Sequence, residues 1–309
     1  MSPNLKKILK YVFDSDYRIS VNANIGRYDK MDDERFLRKV YKARMGKALD
    51  LHAPKTFNEK LQWLKLYNRV PEYTTFVDKY LVRDYIRERL GEQYLIPLLG
   101  AWDSPDEIDF DALPDRFVLK CNHNSGVGMY ICRDKSKMDV EAVKTELRRG
   151  LAENYYLRTR EWPYRDVPRK IICEKFMSDS PDASDFTDYK FFCFDGVVDC
   201  VMVCLERSSG NTKFYFFDKD WNLKRLNLRG KNAPEGFTIE KPECMDEMFR
   251  IAAELSRGMP FVRVDLYQSN GQIYFGELTF FPDSGFDANL LPETDEYFGS
   301  LIKLPKKRG

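Results

Sequence analysis

FVRVDLYQSNGQIYFGELTF (261–280) decides the fold. Its two halves alternate apolar and polar residues around Asn270-Gly271, a dipeptide that accepts the positive φ angles of a tight hairpin turn. Alternation puts Arg263 and Asp265 on one face of the first strand, and Glu277 and Thr279 on one face of the returning strand. Val262, Val264 and Leu266, then Tyr274 and Leu278, fill most positions between them. Antiparallel pairing therefore gathers two carboxylates, a guanidinium and a hydroxyl. Adjacent carboxylates repel unless a cation lies between them, and hard oxygen ligands beside an Arg suit a magnesium–phosphate site. Cross-strand charges also build solvent-facing salt-bridge ladders, so the hairpin alone leaves both readings open.

Upstream, DYKFFCFDGVVDCVMVCLER (188–207) reads as a second hairpin turning on Asp195-Gly196. KFYFFD (213–218) reads as a further strand, and 242–257 as a helix. FVLKCN (117–122) and GMYICRD (128–134) are strands around a short polar turn, followed by a helix at 139–155 and the strand KIICEKF (170–176). Residues 32–45, 56–67 and 73–90 carry apolar side chains at helical spacing, and Thr56 with Glu59 forms a capping-box pattern. A Pro- and Asp-rich stretch at 102–114 marks a boundary. The class is α+β: a helical region (1–112), a small α+β unit (113–176) and a larger antiparallel unit (177–309).

The 309 residues suffice for more than one subdomain, and 50 Lys plus Arg balance 49 Asp plus Glu, so no net field points to nucleic acid. The seven cysteines are scattered without a Cys-x-x-Cys pair, the usage of free thiols in a reducing compartment, so the expected location is the cytoplasm. No apolar stretch approaches the about 20 residues that span a bilayer, and the N-terminus lacks a signal-peptide cleavage pattern. Leu5–Phe13 reads as a basic amphipathic helix. Such a segment docks at a domain edge or, less often, touches a membrane surface, here the inner face.

FVLKCNHNSGVGMYI (117–131) places Lys120 at a strand end, followed by Ser125, Gly126 and Gly128. Glycines let backbone N–H groups approach phosphate oxygens, and a Lys adds positive charge; an ordinary hairpin loop has the same look. Neither GxxxxGK[ST] nor GxGxxG occurs. His123 in this loop suits a structural role better than a catalytic one. Glu174-Lys175-Phe176 ends a strand that can offer an edge to adenine, with Asp188 placed for a ribose hydroxyl and Lys190 for phosphate. Alone, these are merely charges at strand ends.

In this order the motifs resemble the ATP-grasp superfamily over roughly residues 76–285. TFNEKLQWLKLYNR (56–69), VDKYLVRDYI (77–86) and LPDRFVLKCNHNSG (113–126) resemble its TupA-like branch, associated with cell-surface polysaccharide and teichuronopeptide synthesis. The resemblance implies two subdomains clasping ATP. It implies that Lys79 and Lys120 contact the phosphates, that Ser125, Gly126 and Gly128 form the flap over them, that Glu174, Lys175 and Phe176 form the adenine hinge, and that Asp188 meets the ribose. Asp265 and Glu277 match the Mg2+ ligands, and Arg263 the residue steadying the transferred phosphate. Asp188-Tyr189-Lys190 with Glu206-Arg207 resembles the Asp-x-Arg and distal Arg of the glutamate ligases, which implies that Arg207 binds phosphate or carboxylate. Thr279 stands where the family usually has Asn, and the usual N-terminal α/β domain is replaced by the helical region. The implied activity is an ADP-forming ligation of a carboxylate and an amine, using ATP and Mg2+, with a sugar acid or peptide carboxylate as acceptor. The alternatives are a sugar kinase on the same scaffold and a metal-dependent glycosyltransferase using Asp-x-Asp pairs at 14/16, 109/111 or 218/220.

Overall fold

The structure, a computed structural model, describes residues 3–177, 187–205 and 212–307. Six helices lead the chain: α1 (Pro3–Phe13), α2 (Ser15–Asn24), α3 (Asp33–Met45), α4 (Phe57–Tyr67), α5 (Glu72–Val77) and α6 (Val82–Arg89). Asp32 caps α3 by accepting from the Arg35 amide at 3.0 Å. Thr56 and Glu59 complete the expected capping box on α4. The single helix expected over 73–90 is instead two. Asp78 breaks it, its carboxylate accepting from the amides of Tyr80 (2.8 Å) and Leu81 (3.3 Å) and from the Asn122 side chain (2.8 Å). The break leaves Lys79 between helices, next to the 122–124 segment.

Next come β1 (Leu98–Trp102), β2 (Phe117–Cys121), β3 (Met129–Cys132), α7 (Val140–Ala152), α8 (Tyr155–Thr159) and β4 (Ile171–Lys175). The strands form an antiparallel sheet in the order β1-β4-β2-β3. Strand β1, unanticipated from the sequence, comes from the segment read as helical and pairs Ala101 with Ile172. Phe117, Leu119, Cys173, Val143 and Leu147 form this sheet's own core against α7.

The second sheet contains β5 (Asp188–Phe194), β6 (Val197–Leu205), β7 (Lys213–Phe217), β8 (Leu223–Lys224), β9 (Val262–Ser269) and β10 (Gln272–Thr279). Its order is β10-β9-β5-β6-β7-β8, and every pairing is antiparallel. Three helices accompany it: α9 (Leu228–Lys231), α10 (Met245–Leu255) and α11 (Pro292–Leu301). Both hairpins turn where expected, with φ of 50° and 83° at Asp195-Gly196 and 50° and 78° at Asn270-Gly271.

The sheet is covered on both faces, which is why every residue of β5 is buried. One face packs on α10, with Phe191 edge-on to Phe249 at 5.1 Å. On the other, Phe192 and Phe261 meet Phe57 of α4 and Phe298 of α11, the Phe57–Phe261 rings standing edge-on at 4.8 Å. The helical cap covers only part of that face. Lys190, two residues before Phe192, and Asp265, paired with it, lie beyond the cap.

One register differs from the alternating expectation. A bulge at Gly276 shifts β10 by one residue, so Ile273, Phe275 and Leu278 are buried in place of Tyr274 and Leu278. Only glycine fits there, since a Cβ would lie 2.9 Å from the Asp265 carbonyl oxygen. The shift brings Glu277 opposite Asp265. None of the seven cysteines is paired in a disulfide among the described residues, and six are buried.

Phe57→Ala should cost roughly 3–5 kcal/mol by emptying the junction between cap and sheet, whereas Thr56→Ala should cost about 1 kcal/mol as a lost cap. Denaturant unfolding of both variants checks the ranking.

Candidate active site

Pairing across β5, β9 and β10 places Lys190, Asp265 and Glu277 in one row, with Arg263 opposite Thr279 beside it. Asp265 is 1% exposed. Arg263 donates from Nε to its Oδ1 and from Nη2 to its Oδ2, both at 2.7 Å, and Lys190 Nζ donates to Oδ2. Burial alone would push the Asp265 carboxyl up, yet Arg263 and Lys190 hold it below the ordinary range. Reciprocally, burial opposes the charge of Arg263 and of Lys190, but the surrounding carboxylates, Asp265 foremost, together outweigh it, so both are raised. Arg263 Nη2 also donates to Thr279 Oγ1 (3.2 Å), which donates to Glu277 Oε1 (3.2 Å). Asp188 is buried beside Lys190, 3.5 Å from its Nζ.

This donor set fits a magnesium–nucleotide group. Asp265 and Glu277 supply hard carboxylate oxygens from neighbouring strands, and Glu277 keeps 39% of its side chain exposed on the open side. Among the described residues no three His, Cys, Asp or Glu side chains form a ready cage. Magnesium bound here would complete its shell from water and substrate oxygens, as it does with nucleotide phosphates.

The other wall is built on β2 and β4. Lys120 Nζ lies 2.6 Å from Glu174 Oε2, and Arg83 Nη1 lies 3.3 Å from Glu174 Oε1. The Glu174 carboxylate is thus buried between two cations rather than aimed at a base. Lys175 has an exposed side chain, and its amide donates to the Pro97 carbonyl at 2.9 Å. The Phe176 ring lies under the guanidinium of Arg116 at 4.2 Å.

Lys79 is joined to this wall through the flap: its amide donates to the Asn122 carbonyl (3.2 Å) and its Nζ to the Asn124 carbonyl (2.6 Å). Burial lowers the Lys79 ammonium, Glu277 opposes that and Lys120 adds to it, so the three groups share one electrostatic neighbourhood. The flap is pinned at its base. Gly128 (φ 69°) donates its amide to Glu146 Oε1 at 2.8 Å, and a Cβ there would lie 2.7 Å from the Gly150 Cα. Gly126 (φ 83°) has open space around it. Arg207, with Glu206, lies outside the described residues.

Two adjoining cavities, of about 270 and 540 Å³, share Ser125, Arg263, Glu277, Asp283 and Asn289 in their walls. Lys190 lines the smaller; Arg44, Tyr155, Glu161, Tyr164 and Thr279 line the larger. Asp283 and Ser284 adopt φ of 45° and 55°, costly for residues with a Cβ. Their surroundings hold them there: Lys65 Nζ donates to the Ser284 carbonyl (2.6 Å), and Ser284 Oγ donates to the buried Glu161 (2.7 Å). Arg44 lies over the Phe286 ring at 5.0 Å. Asp287, which lines the smaller cavity, is pushed up to about 6 by burial and by Asp283. Arg44, Lys65, Glu161, Asp283 and Asp287, and likewise Arg83, were not marked by the sequence; Pro282-Asp283-Ser284-Gly285, just beyond Thr279-Phe280-Phe281, was the one local sign of a special turn.

The profile described as TupA-like ATPgrasp matches residues 59–303. The chain belongs to the TupA-like ATP-grasp family. Among solved structures, similarity extends to the D-alanine–D-alanine ligase of Bacillus anthracis, at 18% identity and a TM-score of 0.44, covering 74% of this chain and 65% of the ligase. The Helicobacter pylori D-alanine–D-alanine ligase is 12% identical with a TM-score of 0.46, over 81% of this chain and 69% of its own. The ATP-grasp ligase PsnB, complexed with a phosphomimetic variant of its minimal precursor, Mg and ADP, is 13% identical with a TM-score of 0.40, over 89% and 74%. The TupA-like chain thus spans just under two thirds of the Bacillus ligase. No curated protein sequence matches it.

His123 sits against the end of α7, its Nε2 3.3 Å from the Glu153 carbonyl. Burial, with Arg169 adding, pushes it down from 6.5 to about 4. As pH falls through that interval the unfolded chain takes up the proton first, so stability should drop between about pH 6.5 and 4. His123→Gln should flatten this part of the acid limb, as measured by denaturant unfolding at stepped pH.

Proposed function

We propose that this TupA-like chain is an ADP-forming carboxylate–amine ligase working through an acyl-phosphate. The observation that carries the reading is the row Lys190–Asp265–Glu277, braced by Arg263 and facing the Ser125 flap across two joined cavities. A carboxylate oxygen of the acceptor attacks the γ-phosphorus of ATP, the bond to the bridging oxygen breaks, and ADP leaves with that electron pair. The amine, bound as its ammonium, first loses a proton to water; its nitrogen then attacks the acyl carbon, phosphate departs, and the nitrogen sheds a second proton to water. No side-chain nucleophile is needed.

The chain's task is to gather anions and keep water out. Lys79, Lys120 and Lys190 hold nucleotide phosphates, and Arg263, held in place by Asp265, steadies the transferred phosphoryl group. Asp265 and Glu277, with Thr279 through its hydroxyl or a water, would hold Mg2+, which would supply neutralisation of the phosphate charge. Gly126 and Gly128 let the flap approach them, Lys175 and Phe176 border the adenine, and Asp188 lies toward the ribose. Arg207 belongs to the same reading as an additional anion ligand. In the larger cavity Arg44 suits a substrate carboxylate, while Glu161 and Asp283 suit the ammonium of the incoming amine.

The helical region 1–112 carries Lys79, the unit 113–176 the flap, and 177–309 the metal end. The acceptor class we favour is a sugar acid or peptide carboxylate of surface-polysaccharide synthesis, joined in the cytoplasm, where ATP is at hand. The glycosyltransferase alternative finds little support: Asp14, Asp109 and Asp218 accept from nearby backbone amides as caps and turns.

Glu277→Gln should abolish ADP formation while leaving the fold intact, whereas Asp265→Asn should abolish it and also lower stability, because Arg263 and Lys190 lose their buried counter-ion; full turnover in either would remove the metal assignment. Mg-ATP should raise the melting temperature of the parent chain, and Mn-UDP-sugar should not. Arg44→Met should raise KM for the carboxylate-bearing substrate roughly ten- to a hundredfold, with little change in the Mg-ATP response.

A further inference from the structure

Helix α1 is amphipathic in the reverse sense to a surface helix that packs on a core. Leu5, Ile8, Leu9, Val12 and Phe13 recur at three- and four-residue spacing and so form one stripe along it. That stripe faces solvent: Ile8 is 59% and Phe13 81% exposed, and the other three are exposed as well. The helix is held from its other side. Tyr11 Oη donates to Asn22 Oδ1 at 2.9 Å, and Arg18 donates to the Val12 carbonyl at 2.8 Å. Lys10 lies over the Tyr17 ring at 4.8 Å. The polar contacts to α2 therefore fix α1 with its apolar stripe turned outward.

Charge indicates what covers the stripe. PNLKKILKYVF contains Lys6, Lys7 and Lys10 and no acidic residue, in a chain whose acids and bases otherwise balance. On a helical projection Lys6 and Lys10 fall along one border of the stripe and Lys7 behind it. An apolar stripe bordered by lysines matches a bilayer interface, where acyl chains receive the apolar face and anionic headgroups the ammonium groups. Among the described residues no helix is long and apolar enough to cross a membrane, so contact through α1 is interfacial. The other exposed large apolar side chains, such as Leu99, Val197 and Leu228, lie on separate elements.

We propose that α1 seats the chain on an anionic membrane surface, lying in the interface with Ile8, Val12 and Phe13 inserted and Lys6 and Lys10 at the headgroups. The active-site residues lie on other elements, so the two properties separate experimentally. The test is flotation of the full chain with vesicles of phosphatidylcholine alone and with vesicles carrying a minority of phosphatidylglycerol, at low and high salt. The expected result is co-flotation with the anionic vesicles, weakened by salt. Lys6→Glu with Lys10→Glu should reduce it roughly tenfold or more, and Ile8→Glu with Val12→Glu should abolish it. Both double variants should keep the parent's melting temperature and its response to Mg-ATP. A chain that stays in solution with both vesicle types overturns the proposal. So does a dimer, seen by light scattering, that Ile8→Glu with Val12→Glu dissolves without any vesicle binding, since a second copy would then be the cover.

Discussion

A buried anion organises this molecule. Asp265 is buried on the cleft face of the sheet, beyond the helical cap, where an unpaired carboxylate would be too costly to keep charged. Arg263 closes on both its oxygens and Lys190 on one. The three groups come from adjacent strands, so the register of β5 against β9 is tied to charge as well as to apolar packing. A slip of β9 by one residue would turn Arg263 and Asp265 toward α10, away from Lys190, and turn Val262, Val264 and Leu266 toward the cleft. What stabilises the sheet thus also defines the functional face.

The same balance prepares the site for chemistry. Arg263 and Lys190 already stand among the carboxylates, so a polyanionic substrate entering the cleft meets cations fixed in place rather than recruited from solvent. On the opposite wall Glu174 does for Lys120 and Arg83 what Asp265 does for Arg263 and Lys190. Each wall pairs a buried carboxylate with two cations, and Lys79, hydrogen-bonded to the flap, shares the electrostatic neighbourhood of Glu277 and Lys120.

Local signals were legible in the sequence. The Asp195-Gly196 and Asn270-Gly271 turns, the Thr56–Glu59 capping box and the alternation around Asp265 each depend on neighbours a few residues away, and each is found where expected. The juxtaposition of Arg263, Asp265, Glu277 and Thr279 was legible because strand pairing converts spacing directly into contact. What escaped depends on distant partners. The break at Asp78 is fixed by Asn122, 44 residues away, and β1 exists because β4 offers it an edge. Arg83, Arg44, Glu161 and Asp283 reach their sites only through the tertiary fold. The Gly276 bulge escaped because a one-residue insertion leaves the polar–apolar text nearly unchanged.

The flap, fixed at Gly128 and open around Gly126, has an entropic consequence. Little chain beyond Ser125, Gly126 and Val127 must be ordered when it closes, at roughly 1–2 kcal/mol of backbone entropy per residue. A few charge-assisted hydrogen bonds to phosphate are enough to offset that sum. Such a lid is weakly biased either way. Under the proposed function it closes as the polyanion arrives and reopens once that charge is divided between two products.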